Sequence, residues 1–521
     1  IINNILGNNI MSQSKMTNIG MAQTILKRAE LSPDTQALTF EGKSQTFAEF
    51  GERIRRIAGV LRDGGVCQGD RVGYLGLNHP CFLETLYACG CLGAIFVPLN
   101  FRLTGPEVRF IANDAGVQTM LGDDNFIALI DDQKNHLHCR RYISIEGDAK
   151  GWDRLEILLT DREPLSLIEQ VSEDDIALIM YTSGTTGLPK GAMLTHGNIF
   201  WNTVNVCFIE ENMKGASLTC APLFHIGGLN VTTHASLAKG IEVILHRSFD
   251  PGSVLQDIEK YKVSTMFGAP TMFLMMAQHE AFEATDFSSI ISVTCGAAPV
   301  PVSLIETYAA KGVSFCQGYG LTETAPFASI LSSNLATKKI GSAGLAPMYT
   351  ELRIVDKDNN PLRANERGEV CIKGPNVMKG YWNRPDATAE AIDELGWFHS
   401  GDIGYLDQEG FLYICDRVKD MVITGGENVY PAEIENILYG HKAVAEVAVV
   451  GMPDEKWGEA VVAVVALNPD TELSLEELRK YAEPKLARYK LPSRLHIVDI
   501  LPRNPAGKVQ KFLLREQLAK G

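Results

Sequence analysis

Residues 181–191 read Tyr-Thr-Ser-Gly-Thr-Thr-Gly-Leu-Pro-Lys-Gly. Thr182, Ser183, Thr185 and Thr186 offer hydroxyl donors, and Lys190 brings a positive charge. Gly184 and Gly187 let backbone N–H groups come close to a ligand, so the stretch has the chemistry of a loop that grips phosphate. The apolar run at 176–180 reads as the buried strand that feeds it. The common nucleotide-binding P-loop needs a glycine directly before its lysine and a Ser or Thr directly after. Here Pro189 precedes Lys190 and Gly191 follows, so the loop is of another kind. A plain surface turn can share this composition, and the loop alone does not decide between the two.

Other segments carry complementary chemistry. Gly318, Tyr319, Gly320, Leu321, Thr322 and Glu323 combine an aromatic face that can stack on a base, small residues, and a carboxylate beside hydroxyls that can hold Mg²⁺ through oxygen. Gly296, Ala297, Ala298 and Pro299 follow a strand and can lie flat against a ligand. Asp402, in His-Ser-Gly-Asp, is a loop carboxylate able to accept both ribose hydroxyls. Arg417 can make bidentate contacts to phosphate or ribose, and Lys508, on Asn-Pro-Ala-Gly-Lys, is a point charge on a glycine-tipped loop. Each alone also reads as an ordinary turn, cap or solvated linker.

The elements that must position these residues alternate. Helical spacing at 47–62, strand-like residues at 70–77 and helical spacing at 80–90 are followed by the same alternation through residue 294. Strands alternating with helices predict α/β layers on a largely parallel sheet. Residues 341–410 are richer in turns and short strands, which predicts a β-rich subdomain. From 416 onward the pattern predicts a compact α+β unit. Its helix at 431–439 starts on proline, and its helix at 474–486 carries a Ser474/Glu477 capping box. The expected division is a leader at 1–20, poorly ordered or a mis-set start, a large domain at 21–416, a hinge at 417–419 and a small mobile domain at 420–521.

The chain has 521 residues and a net charge of -15, which excludes a general nucleic-acid binder. Its 11 cysteines are odd in number and form no Cys-x-x-Cys pair, which predicts free thiols in a reducing cytoplasm. No run is apolar and long enough to span a bilayer.

Taken in order, these motifs resemble the adenylate-forming superfamily of acyl-CoA synthetases, peptide-synthetase adenylation domains and luciferases. Within it, residues 425–435, 453–459 and 487–492 look most like fatty-acyl-CoA synthetases. The resemblance implies ATP, Mg²⁺ and coenzyme A as co-substrates and ion, and no nucleic acid. It implies that the Thr182 to Lys190 loop holds the β- and γ-phosphates, that Tyr319 stacks on adenine beside Gly296 to Pro299, and that Ile414 joins the nucleotide site. Thr322 would touch the α-phosphate, Glu323 would hold Mg²⁺, and Asp402 with Arg417 would bind ribose. Lys508 would bridge the substrate carboxylate and the α-phosphate, Lys419 would be the hinge, and Gly425 and Gly426 would line the pantetheine tunnel.

The same resemblance assigns an acyl pocket to His225, Gly227, Gly228, Cys295 and Gly320. His225 would gate it, and the two glycines would leave an open wall. Methionines at 266, 272, 275 and 276 fit either a tunnel or an ordinary core. The implied activity is ATP-dependent conversion of a carboxylic acid to acyl-AMP and then to a CoA thioester, most readily with medium- or long-chain fatty acids. An aryl acid of the cinnamate or ferulate type is the alternative, as is an adenylation domain that loads a carrier protein. The oligomeric state stays open, a homodimer included.

Overall fold

The structure is a computed structural model that describes residues 18–182, 189–209, 214–297, 300–336, 338–417, 420–424, 427–454, 456–503 and 509–520. The first 17 residues of the expected leader lie outside these. The Asn18 amide donates to Glu169 O, and a side chain at Gly20 would collide with Val171.

Two eight-stranded sheets form most of the molecule. One runs, in spatial order, Phe327–Leu331, Phe315–Gly320, Ser292–Gly296, Val263–Gly268, Ala216–Thr219, Val243–Leu245, Gln36–Phe40, Lys43–Thr46. The other runs Gly380–Tyr381, Lys190–Thr195, Ile176–Thr182, Ile95–Leu99, Arg71–Leu75, Val117–Gly122, Arg141–Ser144, Asp153–Arg154. Their interiors are parallel, as helical crossovers require; the first sheet has an antiparallel pair at each edge, and the second is antiparallel at its Gly380–Tyr381 end and parallel at its Asp153–Arg154 end.

The helix Pro80–Leu92 is buried at every position, and with Phe47–Asp63 it supplies much of the main core. A helix apolar all round must be covered all round. Its one acid, Glu84, is fully buried and pairs with Arg53 at 2.7 Å. Burial pushes the Glu84 carboxyl up, and the Arg53 guanidinium opposes that shift.

The turn-rich region forms a four-stranded antiparallel sheet of Glu351–Val355, Gly368–Lys373, Phe398–Leu406 and Leu412–Arg417. The next strand, Val422–Thr424, belongs to a different, five-stranded sheet with its own apolar cores. Asp416 stands at this change of sheet, and its Oδ2 accepts from Ala432 N–H at the start of the helix Pro431–Leu438, at 2.8 Å. The capping box at Ser474 and Glu477 is formed. All 11 cysteines are free. Among the described residues no helix is long and apolar enough to cross a membrane.

Candidate active site

The strand Ile176–Thr182 reaches the glycine- and threonine-rich loop, and the chain returns antiparallel in Lys190–Thr195, with Thr182 opposite Lys190. The loop therefore closes a hairpin. The groups it offers an anion are its amides, its hydroxyls and Lys190. Ser183, Gly184, Thr185, Thr186 and Gly187 lie outside the described residues. The base of the hairpin is braced by Asp114, which accepts from Tyr181 Oη and from Arg384, each at 2.7 Å.

On the first sheet, Phe315–Gly320 ends in the short 3-10 turn Thr322–Thr324 before Phe327–Leu331 returns antiparallel. The Glu323 side of this turn is pinned by buried asparagines. Asn376 Nδ2 donates to Thr324 O and to Phe327 O, both at 2.8 Å, while its Oδ1 accepts the Thr350 hydroxyl at 2.9 Å. Asn202 Oδ1 accepts Phe327 N–H at 3.3 Å, and Asn230 Nδ2 donates to Ala325 O at 3.4 Å. A carbonyl buried without such a donor would cost about 1–3 kcal/mol, so these amides hold one backbone path.

Glu323 is buried, and its Oε1 accepts from Tyr381 Oη at 2.9 Å. Tyr381 lies on the short strand that pairs with Lys190–Thr195, and Lys190 Nζ sits 5.2 Å from the centre of its ring. One tyrosine thus touches both the acid of one sheet and the lysine of the other. Burial, and then the neighbouring Glu323 carboxylate, hold the Tyr381 hydroxyl in its protonated form.

Tyr319 donates its hydroxyl to Asp402 Oδ2 at 2.7 Å, and Asp402 is almost fully buried. Asp402, expected on a loop, lies inside the strand Phe398–Leu406, and the residues before it are tied to the neighbouring strand. Gly401, at φ +69°, donates its N–H to Glu369 Oε1 at 3.0 Å, and His399 Nδ1 lies 3.0 Å from Glu369 Oε2. Asp402 pairs with Arg417 across the sheet, and Ile414 packs on the same core as Tyr319. Gly296 faces Gly318 in register, and a Cβ on Gly296 would lie 3.0 Å from Gly318 O, so the two strands form a flat wall beside Tyr319. Ala297 has φ +71°. Ala298 and Pro299 lie outside the described residues, as do Lys419, Gly425, Gly426 and Lys508. Of Arg417 only the backbone pairing is described.

The acyl-pocket expectations need correction. Gly227 and Gly228 do not leave an open wall: a Cβ at Gly227 would stand 2.8 Å from the Phe267 ring, and one at Gly228 would stand 2.2 Å from Pro222 O. Both positions are glycine because neighbours already fill the space. Cys295 is turned away from this region. Alternate strand residues face opposite sides, so its thiol packs with Met266, Phe273 and Phe315 in the core behind the sheet. Burial holds that thiol protonated. Gly320 is exposed, and a side chain there would strike Pro326 O. His225 is half-buried, with its ring 4.4 Å from that of Phe224. Met266 and Met276 are core, whereas Met275 is exposed.

Sequence reasoning passed over Tyr381, Asn376 and Glu369. Each lies in a short strand or turn without periodicity. The one available signal was Gly-Tyr-Trp at 380–382, an aromatic pair behind a glycine in a turn-rich stretch.

The AMP-binding enzyme family matches residues 25–382, and the AMP-binding enzyme C-terminal domain matches residues 433–508. The chain is 43% identical over 504 residues to a feruloyl-CoA synthase of Amycolatopsis sp, covering 96% of this chain and 100% of that one. It is 38% identical over 512 residues to the long-chain-fatty-acid–CoA ligase FadD13 of Mycobacterium tuberculosis, covering 96% and 99%. Among solved structures, the o-succinylbenzoate coenzyme A synthetase of Bacillus subtilis in complex with ATP and magnesium superposes with a TM-score of 0.85 at 35% identity, covering 95% of this chain and 99% of that one.

Proposed function

The chain belongs to the AMP-binding enzyme family, and from that premise we propose that it is an AMP-forming acid–CoA ligase acting on an apolar carboxylic acid. The observation that carries the reading is the convergence around residues 318–324. Tyr319 with Asp402 makes a base-and-ribose face, and Glu323 with Tyr381 and Lys190 makes a phosphate face on the same turn.

The chemistry follows from these groups. The substrate carboxylate is itself the nucleophile, so no activated Ser or Cys is required. One carboxylate oxygen bonds to the α-phosphorus of ATP while the bond to pyrophosphate breaks, giving acyl-AMP. Negative charge gathers on the α-phosphoryl oxygens, where Thr322 and Lys508 stabilise it; such fixed electrostatics are usually the largest catalytic term. Lys190 and the hydroxyl loop hold the departing pyrophosphate. Glu323 beside the Thr322 hydroxyl is a hard-oxygen donor set that suits Mg²⁺, which when bound would neutralise triphosphate charge. In the second step the CoA sulfur bonds to the acyl carbon and AMP leaves. We take residues 21–416 as the adenylation domain, 417–419 as the hinge about Lys419 and 420–521 as the mobile part, which withdraws Lys508 and brings Gly425 and Gly426 to the tunnel. Free thiols support a cytoplasmic setting.

Medium- and long-chain fatty acids keep the support of the mycobacterial relative. An aryl acid keeps the support of the feruloyl-CoA synthase relative. Carboxylate-dependent ATP–pyrophosphate exchange across alkyl and aryl acids tests both readings. A maximum among the aryl acids favours the aryl reading, and one among the alkyl acids favours the fatty-acyl reading. Exchange with no acid at all would overturn the ligase reading.

A further inference from the structure

We infer that Tyr381 is a positioning residue that sets the Glu323 carboxylate and the Lys190 ammonium relative to each other, so that a metal ion and the phosphates it accompanies are met by one prearranged pair. The inference rests on the acid–CoA ligase reading.

Tyr381 is itself held from several sides. Its strand pairs with the hairpin strand, Gly380 opposite Met193 and Tyr381 opposite Ala192. Its N–H donates to Thr388 Oγ1 at 2.9 Å, and the next residue, Trp382, donates its N–H to Gly191 O at 2.8 Å. Gly380 has φ +142°, and a Cβ there would lie 2.6 Å from Thr388 Cγ2, so the approach of this strand depends on glycine. A tyrosine fixed in this way has little freedom left.

Its two ends do different work. The hydroxyl donates to one oxygen of Glu323 and leaves the second oxygen with a single orientation. An unanchored glutamate would lose rotamer freedom each time it bound an ion. The ring face carries Lys190 Nζ at 5.2 Å. A cation over an aromatic face is held without a counter-charge, so the ammonium keeps its charge for an anion. The hydroxyl therefore governs the metal side and the ring governs the phosphate side.

The two roles separate in two variants. Tyr381→Phe keeps the ring and removes the hydroxyl; Tyr381→Leu removes both. Calorimetric titration with ATP, with and without Mg²⁺, gives the gain in affinity due to the ion. That gain should shrink about tenfold in Tyr381→Phe, the loss of one hydrogen bond to a charged group. Excess Mg²⁺ should restore its ATP–pyrophosphate exchange. Tyr381→Leu should in addition weaken pyrophosphate binding. Thioester formation from supplied acyl-AMP, which uses neither Mg²⁺ nor triphosphate, should stay intact in both.

An unchanged Mg²⁺-dependent gain in Tyr381→Phe would overturn the inference. So would a loss that excess Mg²⁺ does not restore and that extends to the thioester step, because that pattern marks a merely structural role. If the unaltered protein binds ATP with the Mg²⁺-dependent gain but shows no carboxylate-dependent exchange, the ligase reading fails. If it lacks the gain, Glu323 does not serve a metal and this inference falls.

Discussion

Tyr319 and Asp402 come from different sheets and meet through a 2.7 Å hydrogen bond from the tyrosine hydroxyl to the aspartate. The contact ties the last-but-one strand of an eight-stranded sheet to the four-stranded one. It orients the ring whose face we assign to the base and occupies one oxygen of the carboxylate we assign to ribose. The pair predicts unequal effects. Tyr319→Phe keeps the ring and should raise the KM for ATP only a few-fold, the loss of about 1 kcal/mol. Asp402→Ala removes the charged acceptor and should raise it by roughly 100-fold, about 2.7 kcal/mol. Equal effects of the two substitutions would remove Asp402 from the ribose site.

Asn376 predicts a coupled loss of stability and rate. Its amide satisfies Thr324 O and Phe327 O on either side of the Glu323 turn. Asn376→Ala leaves both carbonyls buried without that donor, at a cost of about 2–3 kcal/mol read from urea midpoints. The acid–CoA ligase rate should fall further than the folded fraction does, because Glu323 loses its support. A variant as stable as the parent would show that water or another donor replaces the amide.

Acid should destabilise the protein in a defined window. His234 is fully buried with Nδ1 2.9 Å from Tyr87 Oη, and burial pulls its pKa down to about 4; burial does the same to His196. In the unfolded chain both titrate near 6.5. Below roughly pH 6.5 the unfolded state takes up protons that the folded state refuses, so stability is kept above that pH and lost as the pH falls toward 4. Each histidine contributes about 1.4 kcal/mol per pH unit, or roughly 3 kcal/mol by pH 4. Urea midpoints at about pH 7.5 and pH 5 should draw together in His234→Gln; an unchanged gap would show that other groups set the acid limit.

Lys508 predicts a division between half-reactions. Lys508→Ala should abolish acyl-AMP formation yet spare thioester formation from supplied acyl-AMP, since the hinge is taken to withdraw this lysine before the second step. Single-turnover measurement of each half-reaction decides the point, and equal loss in both would refute it.

The layered fold was legible because its helices and strands are long and periodic. The helix Phe47–Asp63 and the strand Val263–Gly268 lie where apolar spacing puts them. The glycine- and threonine-rich loop was legible as an anion grip from composition, though not as the tip of a hairpin, because the return strand begins at the lysine itself. Tyr381 and Asn376 were not legible. Their importance comes from hydrogen bonds to residues 58 and 52 positions away, and no local pattern encodes such a contact. Gly227 and Gly228 misled for a related reason. A glycine in a sequence signals missing volume, and only the fold says whether Phe267 and Pro222 already occupy it.

The most direct test of the ligase reading is AMP release from ATP, followed with and without CoA, across a panel of carboxylic acids from acetate to palmitate with benzoate, coumarate and ferulate. AMP and pyrophosphate should appear in step with one CoA thioester, dependent on acid, Mg²⁺ and CoA together, with the maximum on an apolar acid. ADP as the product, or no AMP with any acid on the panel, would contradict it.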